Sequence, residues 1–436
     1  MVAIDLFCGA GGCSEGMIQA GFEILFASDL SPMAGKTYMH RHSQLGLIQG
    51  KNTWFEQSDI KDLSGDLIRR KIQSLEKFKD NPIPEIDLMM GGPSWQGFSL
   101  AGRRNQSDPR NLLFSEYVRI ISEIRPKYIV LENVEGFLNM QFVGYIGLNG
   151  QTYPDGTITP EILREELQKI GYETLPPKVL NAADFGVPQN RNRVIFLGWR
   201  QGLPSPSYPK PTVNTKVSVW DAISDLSVHK EPNVVVPSDY ETESRNGRTP
   251  NTEKNPLFAY MLSNIELPTH TDLVRERFGL FGLGETGKKL KNRVMKEGID
   301  LRDSPSLVDL CSRKLGLTEE ETIALFRKGN LEKSQADLLL TRKNIRRRLD
   351  PNLPSPTVCT IADDFVHPFE DRTLTVREMA RLQSFDDSFV FLGKRTTGGL
   401  KRRVEVPQYT QVGNAVPPLM AKAIALEIKK VLEEKR

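Results

Sequence analysis

The nonapeptide GGPSWQGFS at residues 91–99 follows the apolar run IDLMM. A loop at the carboxyl end of a buried strand is where open α/β folds put their chemistry. Here the loop carries an indole, Trp95, beside Gln96 and Ser99. A second stretch, DLFCGAGGCSEG, reads as strand, glycine turn and helix. It sets Gly9, Gly11 and Gly12 where backbone must approach a ligand closely, as in nucleotide-type sites, although a purely structural tight turn fits equally well. Two acidic residues strengthen the first reading. Asp29 in FASDLSP ends a second strand, the position at which a carboxylate takes ribose hydroxyls. Asp59 in SDI follows another break and suits either an adenine amino group or a helix N-cap.

The elements that must position these residues alternate along the first two hundred positions. VAIDLF, FEILFASDL, IDLMMGG, YIVLENV and RVIFLGW are short, rich in branched apolar residues, and bounded by Gly, Asn, Asp or Pro. Between them lie periodic segments such as LLFSEYVRIISEI, which places Leu113, Tyr117, Ile120, Ile121 and Ile124 on one helical face. The pattern predicts βαβ units and a mostly parallel sheet. PSPSYPKPT, just after Gln201, marks a boundary, and Val213–Pro356 is polar and weakly periodic, as expected of a second domain. Regular structure resumes near Leu374, and MAKAIALEIKKVLEEK closes the chain as an amphipathic helix that must dock on the first domain. The insertion at 146–160 reads as a hairpin or loop beside the sheet.

Bulk properties narrow the class. A chain of 436 residues exceeds the size at which single cores stop growing, so two domains are expected. With 58 Lys+Arg against 55 Asp+Glu, net charge is +3, so any basic surface must be local. The four cysteines, Cys8, Cys13, Cys311 and Cys359, form no CxxC pair, which predicts a reducing, intracellular compartment and no structural metal. No apolar run has the roughly 18–20 residues of a membrane span.

Together with LENVEGF, QNRNRVIFLG, RTLTVREMARLQSF and QVGNAVPP, these blocks make the chain resemble the DNA cytosine-5 methyltransferase family. The blocks occur in the family's order. The resemblance implies an α/β fold with a Rossmann-like domain binding S-adenosylmethionine, made of residues 1–200 plus 356–436, and a smaller target-recognition domain at 201–355. It implies that Phe7, Gly9, Gly11 and Gly12 line the cofactor, that Asp29 and Leu30 meet its ribose and adenine, and that Asp59 and Ile60 meet the adenine edge. Leu113, Asn414 and Val416 complete that pocket, which requires the chain's end to return beside the first strand. Glu132 faces N3 and the exocyclic amine of a flipped cytosine and Arg193 its O2, with Gln96 and Arg191 as further residues of the same blocks; an ion pair between Glu132 and Arg193 is the structural alternative for both. The implied partner is double-stranded DNA. The implied setting is a monomeric protein with a cognate restriction endonuclease, in bacterial or archaeal cytoplasm or, in a eukaryote, the nucleus. TRKNIRRRL (341–349) and GKRTTGGLKRR (393–403) concentrate basic charge where phosphates are expected, with Gly398 and Gly399 suited to a mobile recognition loop.

The family's chemistry needs a thiolate to add at C6 of cytosine before C5 attacks the sulfonium methyl. Where the family has that cysteine, this chain has Trp95, whose indole only donates a hydrogen bond. None of the four cysteines lies in a matching motif. Three readings of Trp95 follow: loss of C5 methylation, natural or engineered; a DNA-binding regulator or partner subunit without turnover; or exocyclic-amine methylation with the indole stacked on the base.

Overall fold

The computed structural model describes residues 1–93, 113–228, 236–340, 346–399 and 401–434. The apolar segments form the strands they predict: β1 (Val2–Leu6), β2 (Glu23–Asp29), β3 (Trp54–Gln57), β4 (Leu88–Gly91) and β5 (Tyr128–Asn133). These five pair in the order β3-β2-β1-β4-β5, all parallel. The sheet then changes direction. β9 (Asn192–Arg200) runs antiparallel to β5, and both β6 (Tyr172–Thr174) and β7 (Lys178–Asn181) run antiparallel to the far edge of β9. The short β8 (Gln189–Asn190) pairs separately with Ser355–Pro356.

Both faces of the sheet are covered, which is why its parallel strands read as nearly continuous apolar runs. Side chains alternate: Met89, Ile129 and Leu131 pack with α3 (Gly65–Gln73), α4 (Leu113–Ile124) and α5 (Thr159–Lys169). Leu88, Met90, Tyr128 and Val130 pack on the other side with α1 (Gly12–Gln19), α2 (Pro32–Gln44) and helix Pro418–Glu433. That C-terminal helix docks on α1 as its apolar face requires. At Gly16 a Cβ would stand 2.5 Å from the Ala421 Cβ, so only glycine permits this helix spacing.

Two further cores lie outside the sheet. Val219, Ala222, Ile223 and Tyr240 share one with Val358, Met379, Phe385 and Tyr409. The five helices between Asp272 and Leu339 enclose the other, around Leu290, Leu307, Cys311 and Phe326. The 146–160 insertion holds an antiparallel bridge between Ile146 and Thr152, and the buried Glu166 carboxylate accepts from Leu148 N–H at 2.7 Å and from the Tyr153 hydroxyl at 2.6 Å. Among the described residues no helix is long and apolar enough to cross a membrane.

Candidate active site

β1 leads into a turn whose backbone is unusual from its first residue. Phe7 has φ 58°, a conformation that a bulky side chain rarely adopts and that concentrates at functional sites. Gly9 (φ 55°) and Gly11 (φ 108°) continue the left-handed path, and Gly11 N–H closes on Cys8 C=O at 2.9 Å. The glycines differ in purpose. A Cβ on Gly9 would meet nothing within 4 Å, so this position faces open space, as close approach of a ligand demands. A Cβ on Gly12 would lie 2.1 Å from the Val416 carbonyl oxygen, because the chain returning before helix Pro418–Glu433 crosses directly over the start of α1. Gly12→Ala is therefore expected to lower stability by about 1–3 kcal/mol through overpacking against backbone. Urea unfolding with an unchanged midpoint would show that the crossing relaxes freely.

Asp29, at the carboxyl end of β2, ties the turn down. Its Oδ2 accepts Gly9 N–H at 2.9 Å and its Oδ1 accepts Ser31 N–H at 2.8 Å. Burial raises its pKa, and the two backbone donors oppose that shift. Asp59 lies beyond the neighbouring end of β3 and caps the short helix Ile60–Asp62, accepting Lys61 N–H at 3.1 Å. Phe7 and Leu113 pack against the core on the sheet face that also holds Ile60. Leu30 is exposed, Val416 reaches the turn through its carbonyl, and Asn414 is exposed at the end of helix Gln408–Asn414.

Glu132 and Arg193 meet through strand register. Glu132 opposes Ile195 across the antiparallel β5–β9 ladder, so Arg193, two residues before Ile195, shares its face as a diagonal neighbour. Arg193 Nε donates to Glu132 Oε1 at 2.7 Å, with the side chains 13% and 12% exposed. The other carboxylate oxygen lies against Gly92, where a Cβ would stand 3.0 Å from it. Asn133 then fixes the start of the following loop: its Nδ2 donates to Pro93 C=O at 3.1 Å. Trp95 and Gln96 lie outside the described residues.

Arg191 is drawn elsewhere. Its guanidinium is buried and donates to Val358 C=O at 3.2 Å and Gly413 C=O at 3.0 Å, binding two late segments to the sheet. This brings Cys359 near the ion pair, but not as a nucleophile. Burial, with Asp364 adding, pushes its thiol up to about 11 despite Arg191 and Arg193. Burial raises Cys8 and Cys13 well above the usual thiol range and Cys311 to about 11, so all four remain thiols at neutral pH.

Two residues of the site were not singled out from sequence. Asn133 is one. Asp5, a lone polar residue inside the VAIDLF run, is the other. It is buried beneath the turn, accepts Ser14 Oγ–H at 2.6 Å, and has Oδ1 without a hydrogen bond among the described residues. Burial pushes its pKa up to about 7, opposed by the Ser14 hydrogen bond and assisted by Asp29. A polar residue interrupting a buried strand was the available signal.

The basic run at 341–349 behaves differently from expectation in its described part. Arg346 and Arg348 are buried: Arg346 Nε donates to Asp363 C=O at 2.8 Å, and Arg348 donates to His367 C=O at 3.0 Å and Phe278 C=O at 2.6 Å. Backbone carbonyls of Asp363, His367 and Phe278 take up these guanidiniums inside the fold.

Comparison with known proteins gives a consistent result. The family model described as C-5 cytosine-specific DNA methylase matches residues 1–430. The chain is 31% identical to type II methyltransferase M.DdeI of Desulfomicrobium norvegicum, over 98% of this chain and 88% of that one. It is 32% identical to type II methyltransferase M1.HphI of Haemophilus parahaemolyticus, over 98% and 86%. A crystal structure of a prophage-encoded chain (E. coli), named for DNA modification methyltransferase, superposes with a TM-score of 0.62 at 23% identity, covering 99% of both chains. That similarity concerns the fold.

Proposed function

Starting from the fact that this chain belongs to the C-5 cytosine-specific DNA methylase family, we propose that it binds S-adenosylmethionine and duplex DNA, holds a flipped cytosine, and does not methylate C5. The observation that carries the reading is the Glu132–Arg193 pair at the carboxyl end of β5, whose other carboxylate oxygen lies against Gly92, three residues before Trp95 in the sequence. The residues present fit the cofactor: the open face at Gly9 admits close approach, and Asp29 holds the turn in place. Phe7, Gly9, Gly11, Gly12, Asp29, Leu30, Asp59, Ile60, Leu113, Asn414 and Val416 are assigned to its pocket. When bound, the group supplies an electrophilic sulfonium methyl. Glu132 exchanges its pairing with Arg193 for the N3 and amino edge of cytosine, while the guanidinium turns to O2. Gln96 belongs to the same pocket and Arg191 supports it from behind. The step left without a side chain is addition at C6, because an indole offers no nucleophile and the four cysteines stay protonated.

DNA recognition is assigned to residues 201–355, whose helices between Asp272 and Leu339 carry a core of their own, and to the basic segment 393–403. Relatives named as type II methyltransferases support a restriction-modification setting with a cognate endonuclease.

Calorimetry is expected to show S-adenosylmethionine binding, weakened about 10- to 150-fold by Asp29→Ala through loss of charged hydrogen bonds. Absence of binding by folded protein would refute the cofactor assignment. DNA affinity is expected to fall linearly in log–log plots against salt, by about 0.9 per phosphate neutralised, and to fall further on deletion of 393–403. Salt-independent binding would argue against this surface.

A further inference from the structure

Arg125, which follows α4, and Arg200, the last residue of β9, come together at the amino-terminal ends of β4 and β5, the sheet edge opposite Glu132 and Gly92. With Arg69 of α3 they line a concavity of about 360 Å³ whose apolar wall is Ile72, Ile83, Ile86 and Ile124. Ile72, Ile86 and Ile124 are buried members of the core beneath the sheet, and Ile83 packs against them, so the wall is held by the fold. The guanidiniums stay within reach of solvent: the Arg69 and Arg200 side chains are 41% and 26% exposed, and Arg125 is exposed.

The charge in this lining is unbalanced. Three guanidiniums face one carboxylate, Glu85, which pairs with Arg200 Nη1 at 2.6 Å and lies 3.6 Å from Lys127 Nζ. Lys127 is itself held by Asp87 at 2.7 Å. Arg69 reaches only the exposed Asp66, at 3.4 Å, and otherwise donates to Glu123 C=O. Arg125 pairs with no carboxylate among the described residues; one amino group donates to Ile170 C=O and its guanidinium lies over the Tyr172 ring, 5.5 Å from the centroid. A guanidinium carries five N–H donors, and these bonds engage two on Arg69 and one on Arg125, while both bonds of Arg200 leave from a single nitrogen. Arg125 also has φ 62° at a helix end, where glycine is the usual occupant, so the chain keeps this side chain against a backbone preference.

We propose that this concavity is a second binding site, taking a small phosphate monoester whose phosphoryl oxygens meet Arg69, Arg125 and Arg200 and whose carbon body lies on the isoleucine wall. Planar forked guanidiniums match phosphate oxygens two at a time, which separates this arrangement from a merely positive surface. The volume falls within the ~300–1,000 Å³ of small-molecule sites. Glu85 competes with the ligand for Arg200, so it sets the affinity from within the site. The proposal does not depend on the methyltransferase reading, because the opposite edge of the sheet carries that one.

The test titrates the full chain with phenyl phosphate by calorimetry, with inorganic phosphate and phenol as the two halves of the probe. Saturable binding of phenyl phosphate is expected, tighter than either half and weaker at high salt. Arg125→Gln and Arg200→Gln are each expected to weaken it roughly 3- to 10-fold by removing charged hydrogen bonds, and Arg69→Gln serves the same purpose if either variant fails to fold. Glu85→Gln is expected to tighten it about 3-fold or more by freeing Arg200, a gain that a damaged fold does not produce. Absence of saturable binding, inorganic phosphate or phenol binding as tightly as the ester, arginine variants that bind like the parent, or a Glu85→Gln protein that binds no better would each overturn the proposal.

Discussion

Trp95→Cys is expected to switch on deposition of 5-methylcytosine in duplex DNA, the largest change expected from any single substitution. Glu132 and Arg193 are already paired at 2.7 Å on one face of the β5–β9 ladder, and the glycine turn is tied to Asp29. On the proposed reading, the missing part is one nucleophile at position 95. A thiol starts with a pKa near ~8.5 and is lowered by neighbouring positive charge, leaving usable thiolate at neutral pH. Size is expected to act in the same direction, since an indole buries on the order of 150–250 Å² and a thiol would leave more room for a flipped base. In the Trp95→Cys background, Glu132→Gln is expected to cut the rate by about 10²–10⁴, the usual range for a proton-handling group. Nucleoside mass spectrometry after incubation with random-sequence duplex reads all three proteins. The account fails if the Trp95 protein already produces 5-methylcytosine, or if Trp95→Cys is inert while folded and bound to DNA.

Asp387→Ala is expected to cost about 3–5 kcal/mol, the largest loss of stability among single charge deletions. Asp387 is buried and accepts from Arg381 at 2.8 and 2.7 Å, while Arg377 and Arg245 approach at 3.9 and 3.8 Å. Arg381 also bonds Asp225 and the Ala222 carbonyl, and Arg377 bonds carbonyls of Ser263, Asp386 and Phe389. The network thus joins the RTLTVREMARLQSF block to residues 222–263. Removing Asp387 takes from the buried Arg381 one of its two carboxylates, leaving Asp225, and takes from the buried Arg377 the carboxylate 3.9 Å away. Removing Asp309 from its exposed pair with Arg313, 55% and 71% exposed, is expected to change stability by less than ~1 kcal/mol. Urea unfolding of both variants checks the contrast. Equal midpoints would mean that water reaches Arg381 and replaces the lost carboxylate.

Much of the site was legible in residue types and their order. Alternating apolar runs and periodic helices specified the parallel half of the sheet, because strand and helix periods differ and burial on both faces leaves little polar alternation. The glycine turn, Asp29, Glu132 and the absence of a cysteine at position 95 needed no coordinates, since each is a matter of which atoms a side chain carries. What lay beyond the sequence depended on contacts between distant residues. The antiparallel register of β9 brings Arg193 to Glu132, and no local pattern encodes that pairing. Gly12 looks like Gly9 in the chain, yet one gives way to the Val416 carbonyl and the other faces open space. Arg346 and Arg348 read as phosphate contacts until backbone carbonyls 17 to 70 residues away are seen to claim them. Chemical capacity resides in residue type; whether that capacity is spent inside the fold or left facing a ligand is decided by tertiary packing.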